Sequence, residues 1–491
     1  MFKSVFTFGF FTAISRISGL IRDIAIATVI GATSLADIFF SAFRFANLFR
    51  AFFAEGAFTT SFIPLYSAEL QNKKKAFAFA SSIISITLII LVIFCLTMEV
   101  FFPYIVKIFT PGFDQSKVTL TVTLSRVMLP YIVFISIASL IGGMLQVKDH
   151  FASTAISPII LNISLIVSLF IPYIGTPAHN LSIAVLIGGI LQLLLMLFSA
   201  YKLKANFSFS LKLGSSSKVK LFFKRIIPAI INNCITQISV WVDTIMASFL
   251  PNAVSYIYYA DRLTQLPQGI VGTAIGTVLL PVIAKQVNDT ASIIKIQNKA
   301  LCAGLMLIIP ATAAFIIIPD IILMTLFSYG EFDYYSVQQT VPTLQAFSLS
   351  LPAFIINKVL LPGFFVKGNL KIPTIFSLIC LGVNIILNLL LMDKYHHTGI
   401  AIATSISMWI NSILLINYLK INKMYKVNQS LSLNIIKILI ATVVMSTVLY
   451  ISRLLPAELI FDRRISYLAA LIISSTIVYF GTFYLILMGK F

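Results

Sequence analysis

Charge is what this sequence has least of. Only 10% of its 491 residues are Asp, Glu, Lys or Arg, where a soluble domain carries about 25%. Hydrophobic residues make up 59%, and the mean hydropathy is +1.00. No soluble core could hide this much apolar surface, so lipid must be the solvent. Acids are scarcer than bases, 16 against 35, for a net charge of +19. On a soluble chain that excess would suggest nucleic acid. Here the bases gather in alternate loops, which is the pattern of membrane orientation. The four cysteines, Cys95, Cys234, Cys302 and Cys380, stand alone in apolar stretches with no CxxC spacing, so neither a disulfide nor a zinc site is expected. His150, His179, His396 and His397 fall in predicted loops. The sequence has no GxxxxGK[ST] and hence no P-loop ATP site. It also lacks GxSxG and HExxH, so it is read as a transporter, not an enzyme, coupled to membrane potential or an ion gradient. Met1 to Ser15 resembles a signal peptide, but it lacks a small-residue cleavage site and runs into Arg16, so it is expected to be retained.

What the chain does have is long apolar runs. A helix needs roughly 20 apolar residues to cross a bilayer. The pattern predicts an all-α integral membrane protein of about fourteen transmembrane helices. They lie at roughly 5–30, 34–68, 77–105, 119–147, 152–174, 181–203, 219–249, 253–286, 292–318, 337–366, 371–392, 398–420, 431–454 and 464–489. Lys73 to Lys75, Lys148, Lys202, Lys204, Lys212, Lys218, Lys220, Lys224 and Arg225 fall on one side. The loops 31–33, 175–180 and 250–252 hold no Lys or Arg, and 319–336 holds Asp320, Glu331 and Asp333. This bias places both termini in the cytoplasm.

A weak internal repeat is visible. RFANLFRAFFAEGAFTTSFIPLYSAE from Arg44 lies over DRLTQLPQGIVGTAIGTVLLPVIAKQ from Asp261. LPYIVF at Leu129 matches LPAFII at Leu351, and Asn162 then falls on Asn384. The repeat implies two six-helix lobes, 1–203 and 219–421, joined by a basic cytoplasmic linker at 204–218, with an added helix pair in 422–491. Equal orientation of the repeats points to an axis along the membrane normal.

Ionisable groups at the bilayer centre cost at least ~2.5–3.5 kcal/mol. The predicted helices nevertheless bury Arg16, Arg22, Asp23, Asp37, Arg44, Arg50, Glu55, Asp243, Asp261, Arg262 and Lys358. Such groups must line a shared polar cavity or pair off between helices. The acids cannot neutralise all the bases, so a cavity would stay cationic and suit an anionic ligand. Those loop bases are Lys except Arg225, whereas the bases within the predicted helices are Arg except Lys358. Arg binds phosphate and carboxylate through a two-point fork and Lys as a point charge. A second polar set is Asp243, Asn384, Asn388 and Thr404, with Asn384 and Asn388 four apart on one helix face. Its oxygens suit a hard cation such as sodium, or interhelical hydrogen bonds. Gly56, Gly269, Gly272 and Gly276 would let helices pack closely or bend.

SRISGLIRD (Ser15 to Asp23) and GATSLADIFFSAFRFANLFRAFFAEGAFTTSFIP (Gly31 to Pro64) resemble the start of the MurJ/MviN family of lipid II flippases. YADRLTQLPQGIVGTAIGTVLLP (Tyr259 to Pro281) and NKVLLPGFF (Asn357 to Phe365) are similar to that family's helices 8 and 10. The resemblance implies the multidrug/oligosaccharidyl-lipid/polysaccharide exporter fold, with two six-helix lobes around a central cationic cavity and a C-terminal helix pair forming a groove for the lipid tail. It implies that Arg16, Arg22 and Arg262 contact the substrate diphosphate and sugar. Ser15 and Ser255 would lie nearby, and Lys358 would complete the basic set. Asp23, Asp37, Arg44, Arg50, Glu55, Asp261 and Gln265 would serve the cavity and its gating. Many members of that family carry Glu where this chain has Gln265, a departure that removes the acid from this position. It further implies a sodium ion held by Asp243, Asn384, Asn388, Thr404 and the Ile400 carbonyl, with no covalent cofactor. The expected activity is movement of lipid II, the undecaprenyl-diphosphate-linked peptidoglycan precursor, from the inner to the outer leaflet of a bacterial inner membrane by alternating access. Cell-wall synthesis machinery is an expected partner. Rival readings are an exporter of other polyprenyl-linked oligosaccharides or drugs, and a membrane-embedded prenyl-phosphate enzyme or scaffold.

Overall fold

The computed structural model describes residues 2–53, 57–205, 207–209, 217–286, 289–369, 371–453 and 464–488. Among them every regular element is a helix: α1 (Phe2–Ile30), α2 (Ser34–Phe53), α3 (Ala57–Glu69), α4 (Lys73–Phe109), α5 (Gln115–Met128) and α6 (Tyr131–Val147) come first. Then follow α7 (Ala152–Ser168), α8 (Pro177–Lys202), α9 (Ser217–Ser248), α10 (Ala253–Ala284), α11 (Thr290–Ile317) and α12 (Pro319–Leu326). The chain continues with α13 (Tyr334–Ser348), α14 (Leu351–Val366), α15 (Lys371–Ile421), α16 (Gln429–Ser452) and α17 (Arg464–Leu487). Among the described residues, 9 helical stretches are long and apolar enough to cross a membrane, and α7 is a shorter apolar helix. The expected fourteen crossings go beyond these nine. On α4, Ile93, Leu96, Val100, Tyr104 and Ile108 recur at helical spacing with their side chains exposed. Such a stripe is stable only against lipid. This is a multi-pass membrane protein.

Several predicted segments are interrupted. Segment 119–147 breaks between α5 and α6, where Pro130 supplies no N–H and the bonds shorten to the Leu129-to-Arg126 type. Segment 337–366 breaks likewise before Pro352, with Ser350 N–H bonded to Phe347 carbonyl. Segments 371–392 and 398–420, numbered together as α15, are two helices that meet at a break at His396 (φ 50°, ψ −135°), as expected. The expected loop 319–336 contains α12, started by Pro319 at its N-terminus. His150 lies between α6 and α7 and His396 at the α15 break, as expected, whereas the other two histidines fall within helices. His179 is the N3 residue of a capping box with Thr176, and His397 is buried inside α15, its Nε2 2.9 Å from the Gln339 carbonyl.

The chain divides into two compact units, Met1–Ser255 and Tyr256–Phe491. α9 packs on α2, α3 and α4 and so counts with the first unit, whereas the sequence reading starts the second lobe at 219. Residues 210–216 of the expected linker, and the side chain of Cys234, lie outside the described residues. The first unit is built round Phe62, which stacks on Tyr66 (5.3 Å) and Phe79 (5.7 Å) and meets Phe222 edge-on. Gly188 and Gly189 bring α8 against α7 and α6. A Cβ on Gly189 would lie 2.5 Å from the Tyr131 ring, and one on Gly188 2.7 Å from Leu161. In the second unit Leu305, Ile308, Ile355, Val359, Phe364 and Leu415 form the core of α11, α14 and α15.

Helix ends in the two units echo each other. Asn72 and Asp289 are side-chain N-caps of α4 and α11, and Asp114 and Asp333 those of α5 and α13. The Ser116 hydroxyl and then the Lys117 N–H hold Asp114 below the usual carboxylate range. Lys148 and Lys367 close α6 and α14, each followed by a left-handed residue, Asp149 (φ 59°) or Gly368 (φ 71°). These ends set a register about one helical turn from the one that pairs Leu129 with Leu351. Asn162 and Asn384 therefore share a helix face but not a level.

Candidate functional site

In the first unit the charged groups are organised around α1. Arg22 is 7% exposed. Its Nε and Nη2 donate to Asp23 Oδ1 at 3.0 and 2.7 Å, and its Nη1 donates to Asn162 Oδ1 at 3.0 Å. The guanidinium also lies 6.0 Å from the Phe43 ring. Asn162 Nδ2 donates back to the Ser15 carbonyl (3.2 Å) and the Ser18 hydroxyl (2.8 Å). Arg16 is half-buried on the same helix.

Asp37 is 1% exposed in the first turn of α2. Its Oδ1 accepts the Ser255 N–H at 2.8 Å. That N–H belongs to the first turn of α10, where donors lack intrahelical partners and negative charge is favoured. The Ser255 hydroxyl donates to the Asn252 carbonyl (2.8 Å). Both donors of this predicted substrate contact are therefore engaged within the fold. Asp37 Oδ2 is buried with no hydrogen-bond partner among the described residues. Arg44 donates to the Val240 carbonyl at 3.3 Å and to the Thr244 hydroxyl, tying α2 to α9. Arg50 lines a cavity of about 170 Å³ with Tyr131, Gln146, Ser157 and Gln192. Glu55 lies outside the described residues.

In the second unit Asp261, Arg262 and Gln265 form a chain along α10. Gln265 Nε2 donates to Asp261 Oδ2 (2.6 Å), and Arg262 Nη1 donates to Gln265 Oε1 (2.9 Å). The Arg262 guanidinium stacks over Tyr258 at 4.6 Å. A Gln at 265 can serve both neighbours at once, because its amide donates and accepts. A carboxylate could only accept. Lys358 is expected to line the cavity. It is exposed, with its stem over Gly276, where a Cβ would meet Lys358 Cε at 3.2 Å. An ammonium on the apolar helix α14 is stable only toward a water-filled space.

Around the α15 break, Asn384 Nδ2 donates to Thr404 Oγ1 and Asn388 Nδ2 to Asn384 Oδ1, both at 3.2 Å. Ile400 and both amides are buried. Three of the expected sodium ligands are thus brought together, with Ile400 in the same element. Asp243 is buried on α9 and belongs to the first unit. The amide, hydroxyl and carbonyl oxygens fit a hard cation, since each bonded oxygen keeps a further lone pair. Among the described residues no three His, Cys, Asp or Glu side chains cluster for a metal.

Sequence reasoning missed Asn162 as the partner of Arg22 and Thr244 as the partner of Arg44. The signal for Asn162 was a single amide in the apolar run ISPIILNISLIVS.

A family model of the lipid II flippase MurJ matches residues 26–461. The chain belongs to the MurJ family. It is 35% identical to "Probable lipid II flippase MurJ" of Rickettsia prowazekii (strain Madrid E) over 99% of this chain and 98% of that one. It is 32% identical to "Lipid II flippase MurJ" of Burkholderia cenocepacia, covering 84% of this chain and 83% of that one. A solved MurJ in an inward closed conformation superposes with a TM-score of 0.84 at 27% identity, over 98% of this chain and 99% of that one. An inward-facing multidrug MATE transporter of the MOP superfamily shares the fold, with a TM-score of 0.68 at 17% identity over 84% of this chain and 95% of that one.

Proposed function

We propose that this chain is a lipid II flippase of a bacterial inner membrane, a transporter with both termini in the cytoplasm and about fourteen crossings. The observation that carries the reading is the near full-length match to MurJ relatives. The buried arginine-rich chemistry agrees with it. Lipid II presents a diphosphate, and Arg16, Arg22 and Arg262 offer planar forks suited to it. Lys358 adds a solvated point charge, and Ser15 and Ser255 supply nearby polar groups. Asp23, Asp37, Arg44, Arg50, Glu55, Asp261 and Gln265 shape and gate the site. The head group crosses in the polar interior while the prenyl tail stays in lipid. Two lobes, 1–203 and 219–421, joined by 204–218, alternate access, and 422–491 supplies the helix pair for the tail.

Sodium is the proposed coupling ion, held by Asn384, Asn388, Thr404, the Ile400 carbonyl and Asp243. When bound, it would supply fixed positive charge between the two halves of α15. Cell-wall synthesis enzymes are the proposed partners, because flipped lipid II must be consumed outside. Depletion in the native bacterium tests the reading. Lipid II should accumulate in the inner leaflet and cells should lose shape and lyse. Accumulation of a different lipid-linked intermediate would reject it.

A further inference from the structure

Asn162 has no assigned role, yet its amide meets one face of α1 over two full turns. Ser15, Ser18, Gly19 and Arg22 follow the i, i+3, i+4, i+7 spacing of a single helix face. The amide reaches all four. It donates to the Ser15 carbonyl and the Ser18 hydroxyl, and it accepts from Arg22. Gly19 leaves the space, since a Cβ there would already touch Asn162 Nδ2 at 3.6 Å. Asn162 is 5% exposed, so no water can readily replace these bonds.

The consequence concerns Arg22. A guanidinium has five N–H donors. Two N–H bonds go to Asp23 and one to Asn162, which fixes the plane of the fork and leaves two donors uncommitted. Asp23 is adjacent to Arg22 in sequence and rides on the same helix, so its bonds to Arg22 do not by themselves tie the guanidinium to α7. Asn162 does, because it stands on α7.

We propose that Asn162 is a positioning residue, which pins the Arg22 fork and the Ser15 turn of α1 to α7 so that the two uncommitted Arg22 donors present a fixed pair to an oxyanion. The proposal rests on the reading of Arg22 as a substrate contact, and the experiment separates the two. Lipid II binding and thermal midpoint are measured on purified full-length protein carrying Asn162→Leu, Asn162→Asp, Arg22→Ala, and Asn162→Leu with Arg22→Ala. Asn162→Asp keeps the acceptor for Arg22 and loses the donors to Ser15 and Ser18. The expected result is about tenfold weaker binding for Asn162→Leu, binding within about threefold of wild type for Asn162→Asp, and no further loss when Asn162→Leu is added to Arg22→Ala. Equal, additive losses from Asn162→Leu with and without Arg22 would overturn the proposal, as would equal impairment by Leu and Asp. Normal binding by Arg22→Ala would instead reject Arg22 as a substrate contact. In that case a normal Asn162→Leu protein overturns the positioning role as well. If only the thermal midpoint moves and binding does not, Asn162 is a packing residue and the proposal fails.

Discussion

A guanidinium held from two helices differs from a mobile one, and the difference can be measured by replacing it with an ammonium. Lys in place of Arg22 keeps the charge but cannot reach Asp23 and Asn162 with the same planar fork. Arg262 is stacked on Tyr258 and bonded to Gln265, so Arg262→Lys loses the flat face as well. Arg16→Lys, Arg22→Lys and Arg262→Lys proteins should accumulate normally yet complement loss of the wild type poorly, while the alanine variants should fail. Arg453 is the control. It pairs with Asp320 at 2.7 Å where both are substantially exposed, a geometry worth about 0–1 kcal/mol, so Arg453→Lys should grow normally. Full complementation by Lys at all three positions would contradict two-point recognition. The charged residues of this site were legible because charge in an apolar helix is conspicuous. Asn162 was not, because its partners lie across the fold and one amide among apolar residues has no local period. For Lys358, sequence gives the depth in a helix but not the direction of its face.

At the scale of elements, the α15 break brings its two halves into backbone contact. A Cβ on Gly399 would lie 2.5 Å from the Leu391 carbonyl oxygen, and neither backbone can retreat. Gly399→Ala should cost about 1–3 kcal/mol and lower the thermal midpoint. Gly382→Ala, with nothing within 4 Å, should be neutral or slightly stabilising, because Ala favours helix by about 1 kcal/mol. Equal behaviour of the two variants would argue against this packing. The same hairpin carries the sodium proposal. Wild-type protein should be more heat-stable in sodium than in potassium, and Asn384→Ala and Asp243→Asn should each reduce that difference. A wild type indifferent to the exchange would leave Asn384, Asn388 and Thr404 as a hydrogen-bond cluster. Apolar periodicity located these elements well, since lipid demands long uninterrupted runs. It placed the break at His396 between two predicted helices, but did not reveal the one at Pro130. Backbone departures there depend on single residues and on packing against a neighbour.

For the whole molecule, the proposed orientation rests on the bias of lysines to one set of loops. Ser217 and Glu331 are both exposed and fall on opposite sides in that scheme. In a background with the native cysteines replaced, Ser217→Cys should be shielded from an impermeant thiol reagent in intact cells and Glu331→Cys should react. Equal labelling would contradict the orientation and with it the depth assigned to the arginines. Which helices pack together is harder to read from sequence than where the helices lie. α9 reads as the first helix of a second repeat, yet its contacts are with α2, α3 and α4, a pairing that helical periodicity does not encode.

The most direct measurement of the central claim is transbilayer movement of lipid II itself. Purified protein is reconstituted into vesicles containing fluorescent lipid II, and the fraction accessible to an external quencher is followed with time. Wild-type protein should raise that fraction from the outer-leaflet share toward the whole pool, and the Arg22→Ala and Arg262→Ala proteins should leave it near the level of empty vesicles. Accessibility that stays at the outer-leaflet share with wild-type protein, or that rises equally with all three proteins, would contradict the account.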